Sequence, residues 1–429
     1  MNIIQSFLSG FQSLDKIVMV PLVILVLALF YRVKVSTAIK GALIFGAGLA
    51  GTICISQLMT DAMTEVGLGL IENTHLTNDY TDLGMSPLFV GVVSLPYFLF
   101  LYPIGIGLNM LLIKLKLTKT LMVDFLNFAT MSVAVLPLYF LTGQTTVSVV
   151  LTLIGFAVYF GICLKIADWT APKVQSYYGV EGVSIPHPSA GFQAVYVIPL
   201  NWLIDHIPVI NKIDFNMGDI KKKMGLFGEP SVLGMIIGTV LGLLAGMGIV
   251  RSLSVGMYLV ATMLLFPKAI GLMMEALTPI SKGIKARLQK KYGDSMSELY
   301  MGMDAAIFAG FPEVVAITAI YIPIVVLLHF VLPGVRVLPT GESLQLAIVI
   351  GMIVPFAGTA QKKGNVFRTL LIGTILAAVG LYCTTYMAPL VTQLATATGL
   401  VEEGTIVTSM GCRDPQKALI YFLTKLFTQ

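Results

Sequence analysis

Hydrogen-bonding side chains interrupt an otherwise apolar chain in two short, related phrases. The first, GVSIPHPSAG at 182–191, places His187 between two prolines, and the second, EGTIVTSMG at 403–411, carries Ser409. Proline ends helices and frees backbone groups to bond elsewhere, while imidazole and hydroxyl groups both donate and accept hydrogen bonds. These phrases suit the noncovalent recognition of a polar solute. For His187 the alternative is an ordinary loop histidine at the protein surface.

Further polar residues lie within or beside apolar stretches, where burial is costly unless the group pairs or faces water. Asn127 follows Asp124 by three residues, on one helical face, and Glu342 and Gln345 repeat this spacing later in the chain. Asp304 stands where glycine and proline break the entry to an apolar stretch. We therefore take the following as candidate substrate-binding residues: Ser86, Asp124, Asn127, His187, Glu229, Asp304, Gln345 and Ser409.

Some of these residues have a plain structural alternative. Glu229 directly precedes Pro230, so it could instead cap a helix that begins there. Asp124 and Glu342 could lie at the ends of spans, in the membrane interface. The chain contains no P-loop, HExxH or GxSxG motif. We therefore assign no catalytic residue, no metal site and no cofactor.

Composition indicates that the elements positioning these residues are membrane helices. Of 429 residues, 56% are hydrophobic and only 11% are charged, whereas soluble domains average about 25% charged residues. The sequence therefore predicts an all-α polytopic membrane protein. The net charge of +5 comes from short basic loops typical of membrane proteins, so we expect contact with lipid and no nucleic-acid partner.

The apolar runs form two series of five. Five short phrases of the first series recur in order in the second, at an offset near 217 residues; one example is LYPIGIGLN at 101–109 against YIPIVVLLH at 321–329. A tandem duplication is indicated, with a first repeat at 1–210, a hydrophilic connector at 211–226 and a second repeat at 227–429. The predicted spans are 17–31, 41–60, 87–113, 121–141, 146–167, 231–250, 255–277, 314–333, 343–360 and 367–391.

Because five is odd, the second repeat must lie upside down relative to the first, and the loop charges agree. Alternate loops carry nearly all the basic residues, and the positive-inside rule makes those loops cytoplasmic: Arg32, Lys34, Lys40, Lys114, Lys116, Lys119, Lys282, Lys285, Arg287, Lys290, Lys291, Lys362, Lys363 and Arg368, against Arg251 and Arg336 on the other side. The N-terminus is then outside. The apolar pieces near 183–208 and 404–424 are too broken to span and predict two re-entrant hairpins. Inverted repeats are typical of transporters whose substrate site lies near the midplane, where broken helices meet.

Several stretches resemble the galactitol-type IIC permeases of the bacterial sugar phosphotransferase system, in the ascorbate–galactitol superfamily. They cover nearly the whole chain: DWTAPKVQSYYGVEGVSIPH (168–187), KKKMGLFGEPSVLG (221–234), LTPISKGIKARLQKKYG (277–293), MGMDAAI (301–307), RVLPTGE (336–342) and KKGNVFRTLLIG (362–373).

This resemblance implies a multi-pass subunit of the bacterial cytoplasmic (inner) membrane that binds galactitol or a related hexitol or hexose. A separate IIB subunit, carrying a phosphorylated cysteine, phosphorylates the sugar, and a IIA subunit recharges IIB from phosphoenolpyruvate. The chain is then the transport subunit of a phosphotransferase complex and holds no phosphocysteine itself. Asp304 or Glu229 would orient the reacting hydroxyl. The related ascorbate permeases form homodimers and work as elevators, and the resemblance implies the same here.

The alternative function is an ion-coupled secondary transporter of a small polar solute with the same inverted fold. Such a transporter needs an intramembrane carboxylate that titrates or holds a cation, and Asp304 or Asp124 could serve. The state of the transported solute distinguishes the two functions. A phosphotransferase permease delivers a phosphorylated solute, whereas an ion-coupled transporter delivers the solute unmodified.

Overall fold

The computed structural model of this chain describes residues 16–74, 78–122, 125–292, 299–309, 311–339, 345–359 and 363–428. Within these ranges five helices are long and apolar enough to cross a membrane. A sixth span results if the bent pair Met217–Gly228 and Ser231–Leu244 is counted as one. The all-α, polytopic class expected from composition is therefore confirmed.

The described part of the chain is a succession of helices with a few very short strands. The helices are α1 Lys16–Phe30, α2 Val35–Thr74, α3 Ser86–Val93, α4 Phe98–Lys114, α5 Phe125–Phe140, α6 Thr146–Tyr178, α7 Ala194–Asp205, α8 Met217–Met224, α9 Pro230–Leu244, α10 Gly248–Tyr292, α11 Ala306–Ala309, α12 Pro312–Val331, α13 Gln345–Gly351, α14 Val366–Tyr386, α15 Ala388–Ala397 and α16 Pro415–Thr428. The strands are β1 Thr81–Asp82, β2 Thr120–Met122, β3 Val183–Ser184, β4 Tyr300–Gly302 and β5 Val407–Thr408.

Two of the predicted spans are interrupted in the structure. The span expected at 87–113 is two helices, α3 and α4, which are separated where Pro96 follows Leu95. The span expected at 343–360 is the seven-residue helix α13 and a 3₁₀ turn that contains Pro355. A proline lacks the N–H that continues a helix, and an average over hydropathy does not register that loss.

Helices α2 and α10 are instead longer than predicted, at 40 and 45 residues. At 1.5 Å per residue each is about 60 Å or more in length, twice the hydrocarbon thickness of a bilayer. They pack along each other, and α1 and α9 pack against them. Small residues allow the close approach: an added Cβ on Gly238 would lie 2.7 Å from the Cα of Gly256. We call α1, α2, α9 and α10 the long-helix layer.

The short strands join distant parts of the chain in a reciprocal pattern. Strand β4, from the second half, lies between β2 and β3 of the first half, and all three are parallel. Strand β1, from the first half, pairs in parallel with β5 of the second, and Tyr80 forms a parallel bridge to Val337. Each half thus supplies one strand to a sheet whose other strands come from the opposite half.

A buried arginine ties helix α14 to helix α7. Arg368 is 1% exposed, and its guanidinium donates to the carboxylate of Asp205 at 2.6 Å and to the side-chain oxygen of Asn201 at 3.1 Å. Asn365, which caps α14, also donates to the carboxylate of Asp214 in the connector at 3.0 Å. These bonds fix the second helix of the first hairpin against the second half of the chain.

We expect Arg368→Met to lower the free energy of unfolding by about 2–3 kcal/mol, because charge-assisted bonds of this kind contribute about that much. The Asp205 carboxylate is half-exposed and is then solvated rather than stranded, which limits the loss. Thermal unfolding of the detergent-solubilised protein measures the change. Arg368→Lys keeps the charge and one bond, so its melting temperature should lie between those of the wild type and Arg368→Met. A melting temperature of Arg368→Met equal to that of the wild type would contradict this role.

Candidate functional site

The first predicted hairpin folds as a tight, buried tip between α6 and α7. Helix α6 ends at Gly179, which has a left-handed φ of 69°, and the chain then passes through β3 into the IPHPSAG phrase. The Nδ1 atom of His187 accepts hydrogen bonds from the backbone N–H groups of Ser189 (3.1 Å) and Ala190 (3.2 Å). An Nδ1 that accepts two bonds carries no proton. The ring is therefore neutral, and its Nε2–H is a donor.

The second predicted hairpin forms a matching tip between α15 and α16. Ser409 accepts from the N–H of Gly411 at 3.1 Å and donates to the carbonyl of Gly84 at 2.5 Å. The carboxylate of Asp82 accepts from the N–H groups of Gly84 (2.9 Å) and Met410 (3.0 Å). Ser409 thus has one partner within its own tip and one in the loop after β1, and the Gly84 and Asp82 bonds hold the tip to that loop.

The two tips meet. The hydroxyl of Ser189 donates to the carboxylate of Asp414 at 2.6 Å, and the amide of Gln416 donates to the carbonyl of Pro188 at 2.7 Å. Tyr196, on α7, donates to the same Gln416 side chain at 3.2 Å. Non-helical backbone inside a membrane requires a protein or cavity environment, and each tip supplies such an environment for the other.

Buried charges stand directly behind this junction. Asp414 and Lys417 form an ion pair of 2.7 Å with side-chain exposures of only 2% and 1%. Lys417 also donates to the carbonyl of Gly411 at 2.8 Å, and Arg413 donates to the carbonyl of Met410 at 2.8 Å. Together with Asp304, these side chains are the charged groups that act on His187. A buried pair with further hydrogen bonds rigidifies its surroundings.

The three-stranded sheet brings three of the predicted residues to one edge. Ser184, Gly302 and Met122 stand side by side at the carboxyl ends of parallel strands. His187 follows Ser184 by three residues, Asp304 follows Gly302 by two and Asn127 follows Met122 by five. Carboxyl ends of parallel strands meet at the same edge of a sheet and are a common place for ligand sites.

Asn127 is the most unusual of these side chains. It is fully buried near the start of α5, and neither its amide nitrogen nor its amide oxygen has a hydrogen-bond partner within the described ranges. Leaving a buried polar group unpaired costs about 1–3 kcal/mol. An amide retained under that cost is a strong candidate for contact with a ligand.

The other predicted residues are distributed differently. Ser86 is exposed at the start of α3, four residues after β1, and Ser409 directly follows β5. Gln345 begins α13, although the structure does not describe its side chain, and Asp124 lies outside the described residues. Glu229 occupies the N-cap position of α9 without a side-chain cap bond, so it lies in the long-helix layer and follows none of the strands.

Sequence reasoning missed Asp414, Lys417, Gln416 and Arg413. All four lie in GCRDPQKA (411–418), immediately after the second tip. Three charges within five residues beside a predicted re-entrant hairpin were the available signal, because charges at membrane depth need partners.

Comparison with known proteins gives consistent matches. The model of the EIIC-GAT family, described as the PTS system sugar-specific permease component, matches residues 12–404. The PTS system galactitol-specific EIIC component of Escherichia coli strain K12 is 31% identical over 398 residues, covering 93% of this chain and 86% of that protein, and the protein of the same name in E. coli O157:H7 gives the same figures. A putative permease IIC component of E. coli K12 is 30% identical over 383 residues, covering 89% of this chain and 85% of that protein.

Proposed function

Because the chain belongs to the family of sugar-specific permease components of the phosphotransferase system, we propose that it carries galactitol or a related hexitol across the bacterial cytoplasmic membrane. Two of its relatives are named as galactitol-specific. Permease components of this system work with IIB and IIA proteins, so transport is coupled to phosphorylation of the sugar by IIB.

The observation that carries the proposal is the meeting of two hairpin tips inside a membrane protein. Ser189 to Asp414 and Gln416 to Pro188 join the tips, and the sheet edge beside them presents hydroxyl, amide, imidazole and carboxylate groups. A hexitol offers about six hydroxyls, each a donor and an acceptor. A site that pairs them all discriminates against analogues lacking one hydroxyl.

Within this site we assign different roles to the residues. The Nε2–H of His187 donates to a sugar hydroxyl, Asn127 both donates and accepts, and Asp304 accepts and orients the hydroxyl that receives the phosphate. Asp124, Gln345, Ser86 and Ser409 complete the proposed set. Glu229, on the long-helix layer, would meet the sugar only where the two parts of the protein face each other.

We also propose that residues 1–210 and 227–429 are inverted repeats joined by the connector at 211–226, with the N-terminus outside. The reciprocal strand pattern supports this arrangement, since β4 relates to β2 and β3 as β1 relates to β5 and Val337. By likeness to the related permeases we further propose an elevator mechanism, in which the long-helix layer is the scaffold of a homodimer and the tips with their sheets move against it.

The phosphoryl group comes from the partner proteins and not from a cysteine of this chain. Cys163 and Cys412 are buried, so a soluble IIA protein has no access to their sulfur atoms. Cys54 is exposed and Cys383 is half-buried, but both lie within predicted spans, at 41–60 and 367–391. The basic segment 282–291, expected from sequence to be a loop, is the C-terminal end of α10; in the proposed topology it lies on the cytoplasmic side, where it would suit docking of IIB.

The test of the function uses proteoliposomes that contain phosphoenolpyruvate and the soluble phosphotransferase proteins, with radiolabelled galactitol outside. We expect phosphorylated galactitol to accumulate inside. Uptake of unmodified galactitol that collapses on addition of an ionophore would instead establish the ion-coupled alternative.

For the site, we expect Asn127→Leu to weaken galactitol binding at least tenfold while leaving the melting temperature unchanged or raised. The substitution removes a buried, unpartnered amide and replaces it with an apolar side chain of similar volume. The matched control is Asn109→Leu, since the buried Asn109 amide donates to the carbonyl of Thr120 and accepts from the N–H of Met122, both at 2.9 Å. If Asn127→Leu destabilises the protein as much as this control does, Asn127 has a structural role and the assignment is wrong.

A further inference from the structure

A cavity lies apart from the hairpin tips. Its volume is about 580 Å³, within the range of about 300–1,000 Å³ typical of small-ligand sites. Five segments form its wall: the end of α6, the start of α8 in the connector, the start of α12, the 3₁₀ turn after α13 and the loop that precedes α14. The proposed topology puts all five on the cytoplasmic side.

The wall of this cavity combines aromatic rings with a few polar groups, which include one acidic and one basic side chain. Tyr178 lines it, is 7% exposed and has a hydroxyl without a partner in the described part of the chain. Asn216, Glu313 and Lys363 add an amide, a carboxylate and an ammonium group, and Lys363 also donates to the carbonyl of Ser176 at 3.2 Å. A buried hydroxyl without a partner calls for an explanation; because its oxygen is buried beside the cavity, the Tyr178 side chain has to shift before that oxygen can bond a ligand held there.

Aromatic rings connect this cavity to the segment that carries Asp304. The ring centroid of Tyr178 lies 4.4 Å from that of Phe308 and 4.5 Å from that of Phe311. Phe308 is fully buried and follows Asp304 by four residues, while Phe311 lines the cavity. Packing of these three rings therefore links the cavity wall to the segment that carries Asp304.

We propose that this cavity is a second binding site for the neutral sugar alcohol, in which the sugar rests on the cytoplasmic side after it leaves the hairpin tips; this inference rests on the proposed function. Its one carboxylate and one ammonium group give the wall no net charge, and the tyrosine hydroxyl and asparagine amide match sugar hydroxyls. The phosphorylated product would bring a dianion against a wall without net charge, where its lost hydration is not compensated. The cavity therefore holds the sugar before phosphate transfer and disfavours it afterwards, which promotes release.

The experiment measures equilibrium binding of radiolabelled galactitol to the full chain in lipid nanodiscs, without IIB. We expect two galactitol molecules per wild-type chain. Tyr178→Phe, which keeps the ring and removes the hydroxyl, should weaken one of the two sites about tenfold, as the loss of one buried hydrogen bond would. His187→Ala should abolish binding at the hairpin tips and leave the Tyr178-dependent site in the cavity intact.

The matched control is Tyr97→Phe, because Tyr97 is also buried with an unpartnered hydroxyl among the described residues but does not line the cavity; it should leave both sites unchanged. A stoichiometry of one galactitol per chain that Tyr178→Phe does not affect overturns the second site and leaves the proposed function standing. Absence of binding of any hexitol to the wild-type chain overturns both. Equal binding of galactitol and its phosphate at the Tyr178-dependent site would also contradict the assignment.

Discussion

Gly191→Ala is expected to abolish galactitol transport and to destabilise the protein by about 3 kcal/mol, the upper end of the range for overpacking. An added Cβ at this position would lie directly against the carbonyl oxygen of Ile185 and 3.1 Å from that of His187. Both obstacles are backbone atoms of the same tip, and Ile185 is buried. The loop therefore has no flexible side chain that can move aside, and its turn has to open.

The measurements are transport into proteoliposomes and thermal unfolding in detergent. Gly161→Ala is the matched control, because an added Cβ on Gly161, in the middle of α6, has nothing within 4 Å. Alanine favours helix over glycine by up to about 1 kcal/mol, so this control should melt at the wild-type temperature or above and should transport normally. Equal behaviour of the two alanine variants would show that the tip is not as tightly closed as described.

The second large effect concerns the buried ion pair behind the tips. Lys417→Met leaves the carboxylate of Asp414 buried, with the hydrogen bond from Ser189 and the charge of Arg413 but without its ion-pair partner. Breaking a buried pair by removing one member costs about 3–5 kcal/mol, so we expect this variant to lose most of its folded fraction in the membrane. The double variant Asp414→Leu with Lys417→Met should recover much of that stability, since it removes both charges, yet it should still fail to transport because Ser189 loses its partner.

An exposed pair provides the comparison. Arg336 and Asp79 form an ion pair in which both side chains are 47% exposed, and such pairs contribute about 0–1 kcal/mol. Arg336→Met should therefore change the melting temperature little. The interpretation of the buried pair is wrong if Lys417→Met is no more harmful than Arg336→Met, or if the double variant is less stable than the single one.

The sequence predicted the polytopic helical class and the family, because composition and several long phrases carry that information. It also selected Asn127, His187 and Asp304, which the structure places after three neighbouring strands. Those strands are only two or three residues long, so no alternating pattern could have revealed them. The three residues were selected because polar residues are rare in apolar surroundings and each one is therefore informative; their role in binding stays a prediction.

Helix lengths and breaks were predicted less well. The extensions of α2 and α10 beyond the bilayer thickness are more polar than a span, so an average over hydropathy ends too early. The break between α3 and α4 depends on one proline within a strongly apolar run. Asp414 and Lys417 were missed for a different reason: they neutralise each other across one turn of α16, and an intramolecular pair looks in sequence like an ordinary charged helix end.

The central position of β4 in its sheet constrains how the protein is made. Residues 120–122 and 183–184 leave the ribosome more than a hundred residues before the strand at 300–302 that joins them. The nascent first half must therefore wait in the bilayer with the edges of β2 and β3 unpaired. Once the second half is translated, its strand β4 pairs with β2 and β3, and its strand β5 pairs with β1 of the first half. Each half of the polypeptide therefore completes the folding of the other.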